Sequence, residues 1–268
     1  MNRGLGFFKY EGLGNDFVVV EVADPAAMPV DAARGLCDRH RGVGGDGVLL
    51  VLPAVSPGAT ARMVVINADG SIPEMCGNGL RCVALHVARR NEIASGELLF
   101  DTDAGPKACT IDDRAGAGLI TIDMGIVRFL SDVAVDVGGE DWTFATGDAG
   151  NPHAIVFDAF TEPDIARVGP IVATHARFPH GTNVEFARLR GPAAIDLVVW
   201  ERGVGLTLAC GTGACATVAV AVAKGLVQPG IEVTVTLPGG PLHITLDARG
   251  HAIMRGPARL VFSGTAPA

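Results

Sequence analysis

Met75-Cys76-Gly77-Asn78-Gly79-Leu80 and Ala209-Cys210-Gly211-Thr212-Gly213-Ala214 are two versions of one motif, a cysteine followed by Gly-x-Gly, standing half the chain apart. Other features recur at nearly the same offset, as a duplicated unit requires. Met63-Val64-Val65-Ile66-Asn67 precedes the first cysteine and Leu197-Val198-Val199-Trp200-Glu201 the second, so Asn67 and Glu201 each lie nine residues upstream. Asn15 pairs with Asn151, and Gly45-Asp46-Gly47-Val48 with Gly181-Thr182-Asn183-Val184. Each unit reads mostly as strand, because short apolar runs are punctuated by Gly, Pro, Asp and Asn. One helix follows each cysteine, expected over Leu80 to Asn91 and Ala214 to Lys224. The second is apolar nearly all round, as a helix enclosed by sheet must be. The expectation is an α+β (α/β) chain of two pseudosymmetric halves, each a strand-rich, barrel-like sheet around a central helix, with the active site in the cleft between them.

The repeat sets the boundary near Met124 and Gly125. One half is then residues 1–124 plus 257–268, carrying Cys76, with the strand Ala258 to Phe262 returning to it; the other is residues 125–256, carrying Cys210. A chain of 268 residues suffices for two such halves, and 49% hydrophobic residues supply their cores. The net charge of -8, without a basic run, leaves no footprint for nucleic acid or an anionic membrane surface. The longest apolar run, Ala214 to Ala223, is far short of the roughly 20 residues a membrane span needs. The expected partner is a small molecule and the expected location cytoplasmic. Six cysteines without a secretory signal read as thiols, and no C-x-x-C pair marks a metal site.

A cysteine at a helix N-terminus meets unpaired backbone N–H groups and the positive end of the helix dipole, which favour its thiolate. The free thiol's pKa is about 8.5, and such a site lowers it toward a usable base. The flanking glycines let backbone amides approach a substrate carboxylate. Inverting a tetrahedral carbon needs a base on one face and an acid on the other, and duplication supplies two like groups, Cys76 and Cys210. The other electron sink for such chemistry, pyridoxal phosphate, needs a Schiff-base lysine, and Lys9, Lys107 and Lys224 stand in no motif suited to it. No cofactor and no metal are expected.

Cys37, Cys82, Cys109 and Cys215 read as small core hydrophobes. Gly42-Val43-Gly44-Gly45-Asp46-Gly47 matches G-x-G-x-x-G in form but precedes a strand instead of opening a helix, so it is not taken as a dinucleotide site. His153 and Glu201 gain weight from the repeat landmarks beside them and are candidates to tune a thiol. Arg202 suits a bidentate hold on a carboxylate or a surface ion pair. Asn15, Asn67, Asn78, Asn151 and Asn183 are turn formers or, together, the lining of a neutral polar pocket for a zwitterion.

With Gly12-Leu13-Gly14-Asn15-Asp16-Phe17, Asn67-Ala68-Asp69-Gly70-Ser71, Gly150-Asn151-Pro152-His153 and Glu201-Arg202-Gly203 added to the two cysteine motifs, the sequence closely resembles the diaminopimelate epimerase family over essentially its whole length. The resemblance implies interconversion of LL- and meso-2,6-diaminopimelate without pyridoxal phosphate or metal, by Cys76 and Cys210 as acid-base thiols. It implies that Asn15, Asn67, Asn151, Asn183 and Arg202 hold the distal amino-acid end. Gly77, Asn78, Gly211 and Thr212 would contact the reacting end, and His153 and Glu201 would modulate the cysteines, Glu201 also touching substrate. Homodimers are common among such proteins. Glu11, Gly47, His180 and Leu206 depart from the family pattern. A related two-cysteine racemase of another amino acid, such as histidine, and a binding module that has lost turnover are the competing readings.

Overall fold

The structure, a computed structural model, describes residues 4–266. The chain divides into two compact units, Met1–Asp123 with Gly256–Ala268, and Met124–Arg255. Elements run β1 (Leu5–Gly12), β2 (Asn15–Glu21), α1 (Val30–Cys37), β3 (Gly47–Leu52), β4 (Ala61–Asn67), α2 (Gly77–Arg90), β5 (Ser95–Asp101), β6 (Lys107–Asp112) and β7 (Leu119–Ile126). There follow β8 (Arg128–Val137), β9 (Glu140–Asp148), β10 (Pro152–Phe157), α3 (Glu162–Ala173), β11 (Asn183–Gly191), β12 (Ala194–Glu201) and β13 (Gly205–Thr207). The last are α4 (Gly211–Ala223), β14 (Glu232–Leu237), β15 (Gly240–Leu246), β16 (His251–Pro257) and β17 (Arg259–Ala266).

In the first unit β1 and β2 form a hairpin closed by Leu13 and Gly14, both at left-handed φ of 58° and 81°. Two such residues make the turn whose twist suits a two-residue hairpin. β2 pairs parallel with β3 and β3 antiparallel with β4, while β17 adds antiparallel to β1. The sheet surrounds α2, which packs on β1, β2, β3, β4, β6 and β17. Gly77 through Ala88 are buried, so this helix has no solvent face over most of its length. In the second unit β9 joins β10 antiparallel, β10 runs parallel with β11, and β11 antiparallel with β12. α4 packs on β8, β9, β10, β11 and β15. Its Val218 and Val220 are fully buried, each such side chain contributing about 1.5–3 kcal/mol of transfer free energy.

The repeat is carried by register. Phe17 faces Gly47 across the β2–β3 pair, and His153 faces Asn183 across the β10–β11 pair. Val48 opposes Ile66 and Val184 opposes Trp200.

The helix starts expected at Leu80 and Ala214 are corrected to Gly77 and Gly211. Glycine's poor helix propensity makes Gly-x-Gly read as loop, but in a first turn the N–H groups lack intrahelical acceptors anyway and a cap decides the outcome. The C-terminal strand is longer than expected, Arg259–Ala266. α1 and α3 were not expected. α1 is a short helix that follows Pro29, and α3 carries Pro163 near its start and Pro170 inside. α3 forms because Asp164 accepts from both the N–H and the hydroxyl of Thr161, fixing its first turn.

Gly118, which leads into β7, holds the return of the C-terminal strand to the first unit. It has φ of 58°, its carbonyl accepts from Ala258 N, and a Cβ placed on it would lie 2.3 Å from the Ala258 carbonyl oxygen. Gly118→Ala therefore combines left-handed strain with a backbone collision and is expected to cost at least about 2 kcal/mol. Urea unfolding of the variant against wild type measures this; an unchanged midpoint contradicts it.

Candidate active site

Each unit carries one cysteine at the N-cap of its buried helix. Cys76 has extended backbone (φ -137°, ψ 110°), and its Sγ accepts from Gly79 N at 3.3 Å. Cys210 repeats the arrangement (φ -130°, ψ 107°), with Sγ accepting from Gly213 N at 3.4 Å and Thr212 Oγ1 3.6 Å away. A Cβ on Gly213 would lie 3.2 Å from that sulfur, so the close approach depends on glycine.

Around Cys76 the structure links Asn78 and Asn15 directly. Asn78 Nδ2 donates to Asn15 Oδ1 at 3.2 Å, and Asn15 Nδ2 donates to Asp46 Oδ2 at 2.6 Å. Asp46 also accepts from Asp16 N at 3.0 Å. Arg39 bridges Asp16 and Asp46 at 2.6 and 2.8 Å, and Lys9 pairs with Asp16 and donates to the Gly44 carbonyl. Asn67, at the end of β4, turns instead to its own loop and donates to Ser71 Oγ at 2.9 Å. Asp46 and its cations were not singled out as functional from sequence; the Gly-Asp-Gly landmark at residues 45–47 was the available signal.

Around Cys210 stand two acidic groups, the half-buried Glu201 and the fully buried Glu185. Glu201 accepts from Thr207 Oγ1 at 2.7 Å, and its charge acts on Cys210. His153 Nδ1 lies 2.6 Å from Glu185 Oε1, both side chains being fully buried, and its Nε2 lies 2.9 Å from Asn151 Oδ1. Asn183 Oδ1 accepts from Arg202 N at 2.9 Å, which places the start of β11 against the loop after β12. The exposed Arg202 guanidinium donates to the His180 carbonyl at 2.6 Å. Of the departures from the family pattern, Glu11 accepts from Gly14 N and from Arg259, and Leu206 is exposed.

The expected lowering of the thiol pKa is reversed at Cys210. Burial pushes this thiol well above the ordinary range, and the charges of Glu201 and Glu185 push it further. The Thr212 hydroxyl and the Gly213 N–H pull the other way and are outweighed, because desolvation of a charge exceeds the gain from a few hydrogen bonds. Cys210 therefore holds its proton at neutral pH. Glu201 is itself raised, first by burial and then by the charge of Glu185, against Thr207, His153 and Cys210. Among the described residues no cluster of three or more His, Cys, Asp or Glu forms a metal site, and no helix is long and apolar enough to cross a membrane.

The family model for diaminopimelate epimerase matches residues 7–130 and 146–261. The diaminopimelate epimerase of Thermosynechococcus vestitus is 40% identical over 288 residues, covering 98% of this chain and 99% of its own. That of Desulfitobacterium hafniense is 41% identical over 278 residues, covering 96% of each. The chain belongs to the diaminopimelate epimerase family. The fold is shared more widely: a probable proline racemase from Agrobacterium radiobacter superposes with a TM-score of 0.76 at 18% identity, over 98% of this chain and 92% of its own. A hydroxyproline epimerase from Agrobacterium vitis gives 0.76 at 17%, over 99% and 93%.

Within this member of the diaminopimelate epimerase family, the first unit groups Cys76, Gly77, Asn78 and Asn15, leaving Asn67 bonded elsewhere. The second groups Cys210, Gly211, Thr212 and Glu201 at the helix start, and ties His153 to Asn151 and Arg202 to Asn183.

The cradle under Asn15 rests on Asp16. Burial pushes this carboxyl up, but the hydrogen bonds and charges of Arg39 and Lys9 outweigh burial and bring it down to about 2. A carboxyl held low stabilises the fold above its unfolded pKa of about 3.9 and loses that contribution as the pH falls through the folded value. Asp16→Asn is expected to unfold at lower urea than wild type at neutral pH, with the gap closing between about pH 4 and pH 2. A gap that persists at pH 2 would show that ionisation is not its origin.

Proposed function

We propose that this protein is a diaminopimelate epimerase, interconverting LL- and meso-2,6-diaminopimelate by proton transfer at one α-carbon, a step toward lysine and cell-wall peptide. Family membership over nearly the whole chain supports the substrate. The observation that carries the mechanism is the duplicated half-site, a cysteine capping a buried helix in each unit with Gly-x-Gly amides beside it.

Removing an α-proton builds negative charge next to the substrate carboxylate. Donors at a helix N-terminus favour that charge without reorganising as it forms. In one direction Cys76 takes the proton from one face of the carbon and Cys210, held as a thiol by burial and its two carboxylate neighbours, delivers a proton to the other. In the reverse direction the roles exchange. Cys210 must then give up its proton; Glu201, whose charge acts on that sulfur, is assigned to share it, and Thr212 and Gly213 N–H stabilise the thiolate. Asn15, Asn67, Asn151, Asn183 and Arg202 are assigned to the distal amino-acid end, which distinguishes a two-headed substrate from a simple amino acid. Gly77, Asn78, Gly211 and Thr212 are assigned to the reacting end. The chemistry assigned here uses no cofactor, and we further propose that the protein works in the cytoplasm as a homodimer.

Incubation with LL-diaminopimelate in deuterated water tests the reading: α-deuterium is expected in the product with the inverted centre. Cys76→Ala and Cys210→Ala are each expected to lower the rate at least about 1000-fold. Near-normal turnover by either variant refutes the two-thiol assignment. Turnover of a monocarboxylic amino acid alone points instead to a related racemase, and ligand-induced stabilisation without deuterium uptake to a binding protein.

A further inference from the structure

Glu185 has a counterpart in the other unit that is not acidic. β11 places it two residues beyond Asn183, as β3 places Leu49 two residues beyond Gly47. The two face the same helix turn: a Cβ on Gly79 would lie 2.8 Å from Leu49 Cδ2, and a Cβ on Gly213 would lie 2.8 Å from Glu185 Oε1. The residue paired with Asn183 is His153, and the residue paired with Gly47 is Phe17. One unit thus fills this place with Phe17 and Leu49, both buried, and the other with a histidine and a glutamate.

The polar version is the costlier one. Glu185 is 0% exposed, and its Oε2 is buried without a hydrogen-bond partner among the described residues. A buried carboxylate with one oxygen unsatisfied is destabilising relative to an apolar residue of similar volume. Since the first unit builds the same packing with leucine, the fold does not require this carboxylate.

Its geometry states what it does. The two nitrogens of His153 face two oxygens, Glu185 Oε1 and Asn151 Oδ1. That arrangement is satisfied when the ring and the carboxyl group together hold one proton more than a neutral imidazole and a carboxylate would. We propose that Glu185 is a positioning residue for the Cys210 half of the reaction, holding the second proton of His153 at Nδ1 and fixing the ring so that Nε2 is directed to Asn151. The inference rests on the epimerase reading above. The ionisable groups concerned are Glu185 on β11, Glu201 on β12, Cys210 at the start of α4 and His153 on β10, and Glu201 responds to both Glu185 and His153.

Glu185→Gln keeps the shape and removes the ability to balance that proton. With LL-diaminopimelate, kcat is expected to fall about 10- to 100-fold with KM within about threefold. Ring-nitrogen NMR of His153 supplies a readout besides activity: two protonated nitrogens, or one proton shared with Glu185, in wild type at neutral pH, and a neutral ring in the variant. Unchanged kcat and ring spectra overturn the proposal, as does a fall in kcat with an unmoved ring titration, which assigns Glu185 a structural role. His153→Phe with Glu185→Leu copies the first unit's pair and is expected to fold with a Tm at or above that of wild type. A double variant that does not fold also overturns the proposal. If wild type itself exchanges no α-proton, the epimerase reading fails while the NMR comparison still decides the role of Glu185.

Discussion

A cysteine at the N-cap of a helix with no solvent face is the constraint from which the rest of this structure follows. The sulfur must accept the N–H three residues on, so that residue must be glycine, since a side chain there collides with the strand beneath. Enclosure by sheet leaves α4 apolar over nearly all its length, whereas α2 also buries Arg81 and His86. The strands that cover it must bring their N-terminal or C-terminal ends to the level of the cap, which is where Asn15, Asn183 and Glu201 lie. Each unit meets these demands with the same parallel and antiparallel pairings.

Burial of the cap has an electrostatic cost that a motif does not disclose. In water a helix N-terminus favours an anion by a fraction of a kcal/mol up to about 2 kcal/mol. Removing a thiolate from water costs more, and two carboxylates nearby add to it. Cys210 therefore reverses the expectation drawn from its position alone, and in the proposed mechanism it enters as the acid. The distinction lies on the link between packing and chemistry, beyond the reach of spacing.

What the sequence made legible was the repeat, and with it the cysteines, the neighbouring asparagines, His153 and Glu201, because each recurs beside a landmark that glycine or asparagine marks. Glu185 was not legible. It stands in Val184-Glu185-Phe186-Ala187, where alternation assigns a charged residue to a solvent-facing side, yet Val184 to Ala187 are all buried because α4 covers one face and the rest of the unit the other. Asp46 was visible only as part of a turn, since its role depends on Arg39 and on Asn15, the latter brought by the fold from a distant position. The helix starts were misplaced for a related reason: Gly77 and Gly211 are poor helix formers, and the sulfur caps that overcome this are side-chain interactions no propensity scale contains.

The two units keep one backbone and diverge in charge. Around Cys76 the carboxylates Asp16 and Asp46 are neutralised by Lys9 and Arg39 and reach the cysteine's helix through the amides of Asn15 and Asn78. Around Cys210 the carboxylates of Glu201 and Glu185 act on the sulfur directly, and His153 is the counterpart to one of them. A strictly symmetric pair of thiols would titrate alike, and the free protein would be divided among both, neither and either being ionised. Biasing one sulfur strongly toward its thiol form removes most of those states, and at Cys210 the bias comes first from burial and then from the charges of Glu201 and Glu185. Divergence at Phe17/His153 and Leu49/Glu185 is thus one point at which a duplicated scaffold surrounds its two cysteines with different charge.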